Sequence, residues 1–162
     1  MKKSILVAIV VFVALIIIVC LGTLFTKVNK EKPSIDAMTF KNTMEEKGYQ
    51  LVEAKNQFSE YDYIEQVYLA ADSKYKYQIE FYKLANNDYA NQFYNTNIQK
   101  FKNEKSNYSL ESRVDMKNNA KYTLSANGKY MVISIINDTA IYVNVDESYK
   151  DEVNNVLNDL GY

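Results

Sequence analysis

Three acidic residues that lie close together in the sequence, Glu60, Asp62 and Glu65, are the strongest candidates for catalysis. Two carboxylates can hydrolyse a glycosidic bond when they stand at the right separation, one as the acid and the other as nucleophile or base. Segments of this kind are more commonly solvent-exposed loops, because ionised carboxylates are rarely buried. We expect the exposed loop and keep a carboxylate-dependent envelope hydrolase as the alternative.

The residue types on which most enzymes depend are missing or badly placed. The chain has no histidine, the commonest general base and metal ligand, and its only cysteine is Cys20, inside an apolar run. Its four glycines are too far apart to form a phosphate-binding loop: Gly22, Gly48, Gly128 and Gly161. We therefore expect a non-enzymatic protein with no catalytic residue, no cofactor and no metal ligand.

Tyrosine is abundant, with 15 copies in 162 residues. A tyrosine offers a flat apolar face and a hydroxyl that forms hydrogen bonds, a combination that suits sugars and peptides. Tyr61, Tyr63 and Tyr68 lie around the start of the first predicted hairpin and are our predicted ligand-binding residues. The alternative is that these side chains pack within the sheet, because aromatic residues favour strands.

The charge is divided unevenly along the chain. Five of the 19 basic residues precede Pro33, which leaves 14 after it, whereas only Glu31 of the 20 acidic residues does, which leaves 19. Residues 33–162 therefore carry a net charge of about −5. A nucleic-acid-binding domain needs the opposite sign, so we exclude that class of partner.

The hydrophobic pattern predicts three helices and seven strands in the order αβββα–ββββα. Ser34 or Asp36 is the expected cap of the first helix, and Ser148 with Asp151 that of the last. The strands are predicted near 49–54, 64–71, 75–84, 108–114, 121–126, 130–136 and 139–145, with an amphipathic helix from Asn87 or Asp88 to about Asn103. Short hairpin connections, of which Asn127-Gly128 is the clearest, predict an α+β domain: an antiparallel sheet with about three helices packed on one face.

An apolar run from Ile5 to Phe25 precedes this domain and follows Lys2 and Lys3. Its 21 residues would form a helix of about 31 Å, long enough to cross a bilayer and to contact membrane lipid. We predict a tail (1–4), a transmembrane helix (5–25), a linker (26–33) and an extracytoplasmic domain (34–162).

The orientation of this anchor follows from its flanking charges. Moving the amino terminus, Lys2 and Lys3 outward against about 100 mV would cost about 7 kcal/mol, at about 2.3 kcal/mol per charge. We predict a single-pass protein of the cell membrane with a cytoplasmic N-terminus and an extracellular C-terminal domain; a cytoplasm-facing, partner-recruiting domain is the alternative. Cys20 could instead be a lipidation site, although Val19 is larger than the residue that usually precedes one.

Several segments resemble a loose group of small, uncharacterised, membrane-anchored envelope proteins of low-GC Gram-positive bacteria, many of them lipoproteins. The segments are helix ends, hairpins and strands: 39–41, 44–49, 77–82, 127–132 and 159–162. The resemblance implies an envelope location and brings no activity or site residue. We expect a module that binds or scaffolds an envelope protein, a peptide or a cell-wall glycan.

Overall fold

A computed structural model describes residues 31–162, of which Lys32–Tyr162 form one compact unit. The predicted tail (1–4), the predicted membrane helix (5–25) with Cys20, and most of the predicted linker (26–33) lie outside the described residues. No helix within 31–162 is long and apolar enough to cross a bilayer.

The predicted order of helices and strands is confirmed, and two short 3₁₀ helices are added to it. The elements are α1 (Ala37–Glu46), β1 (Gln50–Glu53), a 3₁₀ helix (Lys55–Phe58), β2 (Ile64–Ala71), β3 (Gln78–Leu84), α2 (Asn87–Lys102), β4 (Leu110–Asp115), β5 (Asn119–Ala126), β6 (Lys129–Ile136), β7 (Thr139–Asp146), a second 3₁₀ helix (Glu147–Tyr149) and α3 (Lys150–Asp159). All seven strands form one antiparallel sheet in the order β1-β2-β3-β7-β6-β5-β4. The α+β class is therefore confirmed.

The prediction that all helices pack on one face of the sheet is wrong. Helices α1 and α3 cover one face, where Phe40 and Leu157 pack with Phe81. Helix α2 covers the other face, where Ile98 packs with Tyr82. Phe81 and Tyr82, which are adjacent in β3, therefore enter two different cores. The cause is visible in β6, which is buried from Tyr130 to Ile136 and therefore needs cover on both sides.

The connection between β2 and β3 spans residues 72–77 and is longer than residues 72–74, which the predicted strand bounds leave between them. The Asp72 carboxylate accepts hydrogen bonds from the backbone N–H groups of Lys74, Lys76 and Tyr77, so the chain turns around this side chain before β3 begins at Gln78. Tyr75 has a φ of 54° and is 73% exposed, so it belongs to the turn and not to the strand.

The predicted helix caps are only partly correct. Asp36 caps α1, because its carboxylate accepts a hydrogen bond from Thr39 N at 2.7 Å. Ser148 does not cap the last helix; it donates to Asp146, whose carboxylate also accepts from Ser148 N at 2.9 Å. The acceptor therefore comes from the end of β7, and a 3₁₀ turn leads into α3.

Helices α1 and α3 end in the same way, which accounts for the similar sequences at 44–49 and 157–162. Gly161 has a φ of 84°; its N–H donates to Asn158 O at 3.0 Å, while Tyr162 N donates to Leu157 O at 2.8 Å. Gly48 and Tyr49 repeat the arrangement at the end of α1. This is the Schellman motif, in which glycine supplies the left-handed conformation and the following residue packs back on the helix.

Replacement of Gly161 by alanine is expected to lower the free energy of unfolding by about 1–2 kcal/mol, the cost of holding an L-residue in the left-handed conformation. An added Cβ would meet no atom within 4 Å, so steric overlap contributes nothing. Urea denaturation of Gly161→Ala measures the effect, and the exposed Asn158→Ala, expected to change stability by less than about 0.5 kcal/mol, is the control. Equal stability of Gly161→Ala and wild type would contradict this account.

Candidate functional site

The three acidic candidates lie at the surface. Glu60 and Asp62 are in the loop between the first 3₁₀ helix and β2, and Glu65 is in β2; all three are exposed. Water surrounds such side chains and stabilises their charge. Within residues 31–162, no cluster of three or more histidine, cysteine, aspartate or glutamate side chains is arranged to hold a metal ion.

The structure brings together two of the three predicted tyrosines. The rings of Tyr61 and Tyr63 meet edge to face, with centroids 5.7 Å apart, and Tyr61 is 46% exposed. Tyr68 lies on the opposite face of the sheet, half-buried against the core under α1 and α3. It therefore does not join Tyr61 and Tyr63, because side chains alternate along β2 and the neighbouring Val67 takes the α2 side.

Tyr61 and Tyr63 line a cleft of about 200 Å³ between their loop and helix α2. We call it the aromatic cleft; its lining residues are Phe58, Tyr61, Tyr63, Ile64, Gln92, Phe93, Thr96, Asn97 and Lys100. The loop provides the aromatic wall, and one side of the helix provides the opposite wall.

A connected set of aromatic rings supports the cleft. The ring of Tyr63 stacks on that of Tyr89, with centroids 4.9 Å apart and planes within 9°. The buried ring of Tyr82 contacts both Phe58, at 5.5 Å, and Phe93, at 4.7 Å. The wall is therefore held by packing on both sides, as a binding surface needs if its shape is to exist before the ligand arrives.

The loop that carries Tyr61 and Tyr63 is fixed by backbone hydrogen bonds. Tyr61 N donates to Phe58 O at 3.0 Å, and Ile64 N donates to Tyr61 O at 3.0 Å. The carbonyl of Tyr63 accepts from Ala85 N at 2.9 Å, which ties the loop to the residues just before α2. These bonds fix the two tyrosines relative to the helix that faces them.

Polar groups stand along the helical wall at regular spacing. Gln92, Thr96 and Lys100 are exposed and follow one another at intervals of four residues, so they form one stripe of α2. Asn97, a polar residue of this helix, is only 4% exposed, and its Nδ2 donates to Phe93 O at 2.8 Å. Because that bond uses the amide donor, the carbonyl oxygen of Asn97 is the group that can accept a hydrogen bond from a ligand.

The cleft has little charge. Lys100 is the only charged residue among those that line it. Burial, helped by the neighbouring Tyr61 and Tyr89, raises the pKa of the Tyr63 phenol above its ordinary value of 10.0, so this hydroxyl stays protonated at neutral pH. The site therefore offers aromatic faces, amides and hydroxyls, with one cation at the edge.

A second cavity, of about 370 Å³, has six asparagines among its 13 lining residues and lies near the turns that follow β4 and β6. Much of its polar surface is already hydrogen-bonded within the protein. The amide of Asn118 accepts from Lys32 N at 3.0 Å and donates to Lys32 O at 2.8 Å. Arg113 and Tyr94 both contact the carboxylate of Asp115, at 2.7 and 3.2 Å. We interpret these contacts as structural, because they attach Lys32, at the start of the compact unit, to the turn between β4 and β5.

Sequence reasoning missed the helical half of the aromatic cleft. Tyr89 and Phe93 are one turn apart on α2, and Gln92 and Thr96 lie beside them. The only available signal was this pairing of aromatic and polar residues at a spacing of four, and nothing in it indicates which loop the helix faces.

Comparison of the chain with protein-family models, with curated proteins and with solved structures yields no match.

Proposed function

We propose that this protein is a membrane-tethered, extracytoplasmic binding module that holds one sugar unit of a cell-wall glycan in the aromatic cleft, without enzymatic activity. The observation that carries the proposal is the pairing of an exposed, pre-positioned tyrosine wall with a stripe of amide and hydroxyl side chains 92–100 on α2.

The chemistry of the two walls matches the two kinds of surface on a sugar ring. The C–H groups on one face of a pyranose are apolar and pack on an aromatic ring such as Tyr61. The hydroxyl and acetamido groups at its edge are polar and can bond to Gln92, Thr96 and the carbonyl of Asn97. A strongly anionic ligand would need more positive charge than Lys100 alone provides.

The size of the cleft supports a unit of a polymer over a free metabolite. Pockets for small molecules and cofactors usually measure about 300–1,000 Å³. A cleft of about 200 Å³ encloses less than such a ligand and suits a single unit of a longer chain. Affinity for a short oligosaccharide should be modest, with a dissociation constant in roughly the micromolar to millimolar range.

The lack of enzymatic activity is part of the proposal. No carboxylate is among the residues that line the cleft, so a bound glycosidic bond would have no acid–base pair beside it. Glu60 and Asp62 are the nearest such groups in sequence to Tyr61, and cleavage of the bound glycan would point to them. In that case Glu60→Gln and Asp62→Asn should abolish cleavage while stability is unchanged.

The tether is supported by the apolar run 5–25, and the orientation by Lys2 and Lys3 before it. A tether at the outer surface would keep the domain within reach of the wall. Lipidation at Cys20 would place the same domain on the same side of the membrane, so either anchor is compatible with glycan binding.

Tyr61→Ala is expected to weaken binding of N-acetylglucosamine oligosaccharides at least about tenfold, which corresponds to about 1.4 kcal/mol, because it removes the exposed ring of the aromatic wall. Isothermal titration calorimetry on residues 32–162 measures the dissociation constant. Tyr61→Phe keeps the ring and is expected to lose less.

Tyr75→Ala is the matched control, because this ring is also exposed and lies in the β2–β3 turn, away from the cleft residues. Equal affinities of the Tyr61→Ala and Tyr75→Ala variants would contradict the assignment of the cleft. Absence of binding by the wild-type domain both to the oligosaccharides and to purified cell walls would contradict the proposed function.

A further inference from the structure

Strand β4 is an edge strand with an unusual amount of exposed apolar surface. All six of its residues, Leu110–Asp115, are exposed. Four apolar side chains on it or beside its ends are uncovered: Tyr108 (95% exposed), Leu110 (69%), Val114 (49%) and Met116 (37%). Edge strands with free backbone groups can pair with another chain, and proteins usually protect them.

The backbone groups that point away from the sheet can be identified. Met116 N donates to Asn119 O at 2.8 Å, and these residues are opposite each other in the β4–β5 register. In an antiparallel pair, residues that exchange hydrogen bonds alternate with residues that do not. The even-numbered residues of β4 therefore bond to β5, and Glu111, Arg113 and Asp115 direct their N–H and C=O groups outward.

A second copy of the chain can pair with this edge about a two-fold axis in only a few registers. Residues whose backbone N–H and C=O groups point outward must lie opposite one another in the two copies. All of these residues are odd-numbered, so the two-fold axis passes through a residue and not between two residues. An axis at Glu111 would place the two copies of Glu111 opposite each other. An axis at Arg113 would oppose the two arginines and also set Glu111 against the partner's Asp115. Like charges in direct opposition are unfavourable.

An axis at Ser112 produces a complementary register. Glu111 then faces the partner's Arg113, and the same pair recurs by symmetry. Leu110 faces the partner's Val114, so exposed apolar side chains cover one another. Glu111 and the partner's Arg113 would exchange two backbone hydrogen bonds, and the symmetry-related pair would exchange two more.

The two faces of this pairing have different character. Arg113 is opposite Tyr122, which is buried on the α2 side, so the charged residues lie on that face. There Glu111 already pairs with Lys105, and Arg113 with Asp115. In the paired register these two ion pairs join into one network across the axis. The apolar pairs lie on the opposite face.

We propose that the domain forms a symmetric dimer through antiparallel β4–β4 pairing about Ser112, which joins the two seven-stranded sheets into one. The proposal rests on the exposure, the backbone alternation and the charge order of β4, and it is independent of what the aromatic cleft binds.

A cysteine at the axis tests the register. In full-length protein with Cys20→Ser, Ser112→Cys is expected to give a disulfide-linked dimer under mild oxidation, because the two copies of this residue would be directly opposite in a non-hydrogen-bonded pair. Val114→Cys alone should cross-link far less, since its neighbour is the partner's Leu110. A mixture of Leu110→Cys and Val114→Cys chains should again give a linked dimer. Failure of Ser112→Cys to cross-link, or equal cross-linking at positions 112 and 114, would overturn the proposal.

Exchange of charges provides a second test that does not depend on cysteine. Glu111→Arg and Arg113→Glu should each weaken the dimer about tenfold, because like charges then oppose one another twice. A mixture of the two variants should restore the dimer, because every opposed pair is again complementary. Light scattering of the full chain in detergent measures the mass, and co-purification of two differently tagged copies measures the pairing. Weakening without recovery on mixing would overturn the register, and unchanged mass in either single variant would overturn the interface.

Discussion

Replacement of Phe81 by alanine is expected to lower the free energy of unfolding by about 3–5 kcal/mol. Phe81 is fully buried in β3, and its ring stacks on that of Phe40 in α1, with centroids 4.9 Å apart. Truncation would remove this contact and leave a cavity between the sheet and the helix that covers it. Since domains of this size are stable by only about 5–15 kcal/mol, the loss would be a large part of the total.

Urea unfolding of residues 32–162, followed by circular dichroism, measures this effect through the midpoint and the slope of the transition. Val52→Ala is the control, because Val52 is 57% exposed on the short edge strand β1 and its truncation should change stability by less than about 0.5 kcal/mol. A loss below about 1 kcal/mol for Phe81→Ala would mean that α1 does not pack on β3 as described.

The second large effect concerns the proposed tether. The full chain is expected to remain with the membrane after extraction at high pH, whereas a chain that begins at Lys32 is expected to be released into water. The run 5–25 contains 16 leucine, isoleucine, phenylalanine and valine residues. At about 0.3–0.6 kcal/mol each they favour insertion by roughly 5–10 kcal/mol in sum.

The form of the anchor needs two further measurements. Alkaline phosphatase fused after Tyr162 should be active in intact cells if the domain is outside, and inactive if it faces the cytoplasm. Cys20→Ala should keep the protein in the membrane if 5–25 spans the bilayer, and should release it if a lipid on Cys20 is the anchor. Recovery of the intact full chain as a soluble protein without detergent would contradict both forms of tether.

The sequence contained good local information about the strands and turns. The bounds of β2, Ile64–Ala71, agree with the prediction at both ends, because its apolar residues and the following Asp72 are local signals. The Asn127-Gly128 hairpin is confirmed, with φ values of 52° and 74°, since few other residue pairs tolerate positive φ at both positions. Tyr75 was assigned to β3 because the alternating pattern of this strand begins before Gln78, the residue at which its pairing with β2 begins.

The candidate site could be predicted only in part. Tyr61 and Tyr63 were found because they are close together in the sequence, and a single loop carries both. Tyr68 was included for the same reason, but the alternation of β2 sends it to the opposite core. Tyr89 and Phe93 were missed because only the packing of α2 against the second face of the sheet brings them to that loop.

The sequence by itself determined the element order, the Asn127-Gly128 turn, the glycine-terminated helices and the acidic character of the domain, since each depends on a residue's own chemistry or on its near neighbours. Only the tertiary structure decided which face each helix covers, which aromatic side chains line one cleft, and which strand is left at the edge with its apolar side chains exposed. Hydrophobic periodicity shows that a side chain must be buried, but burial is non-directional, so the identity of the surface that covers it depends on how the whole sheet is assembled.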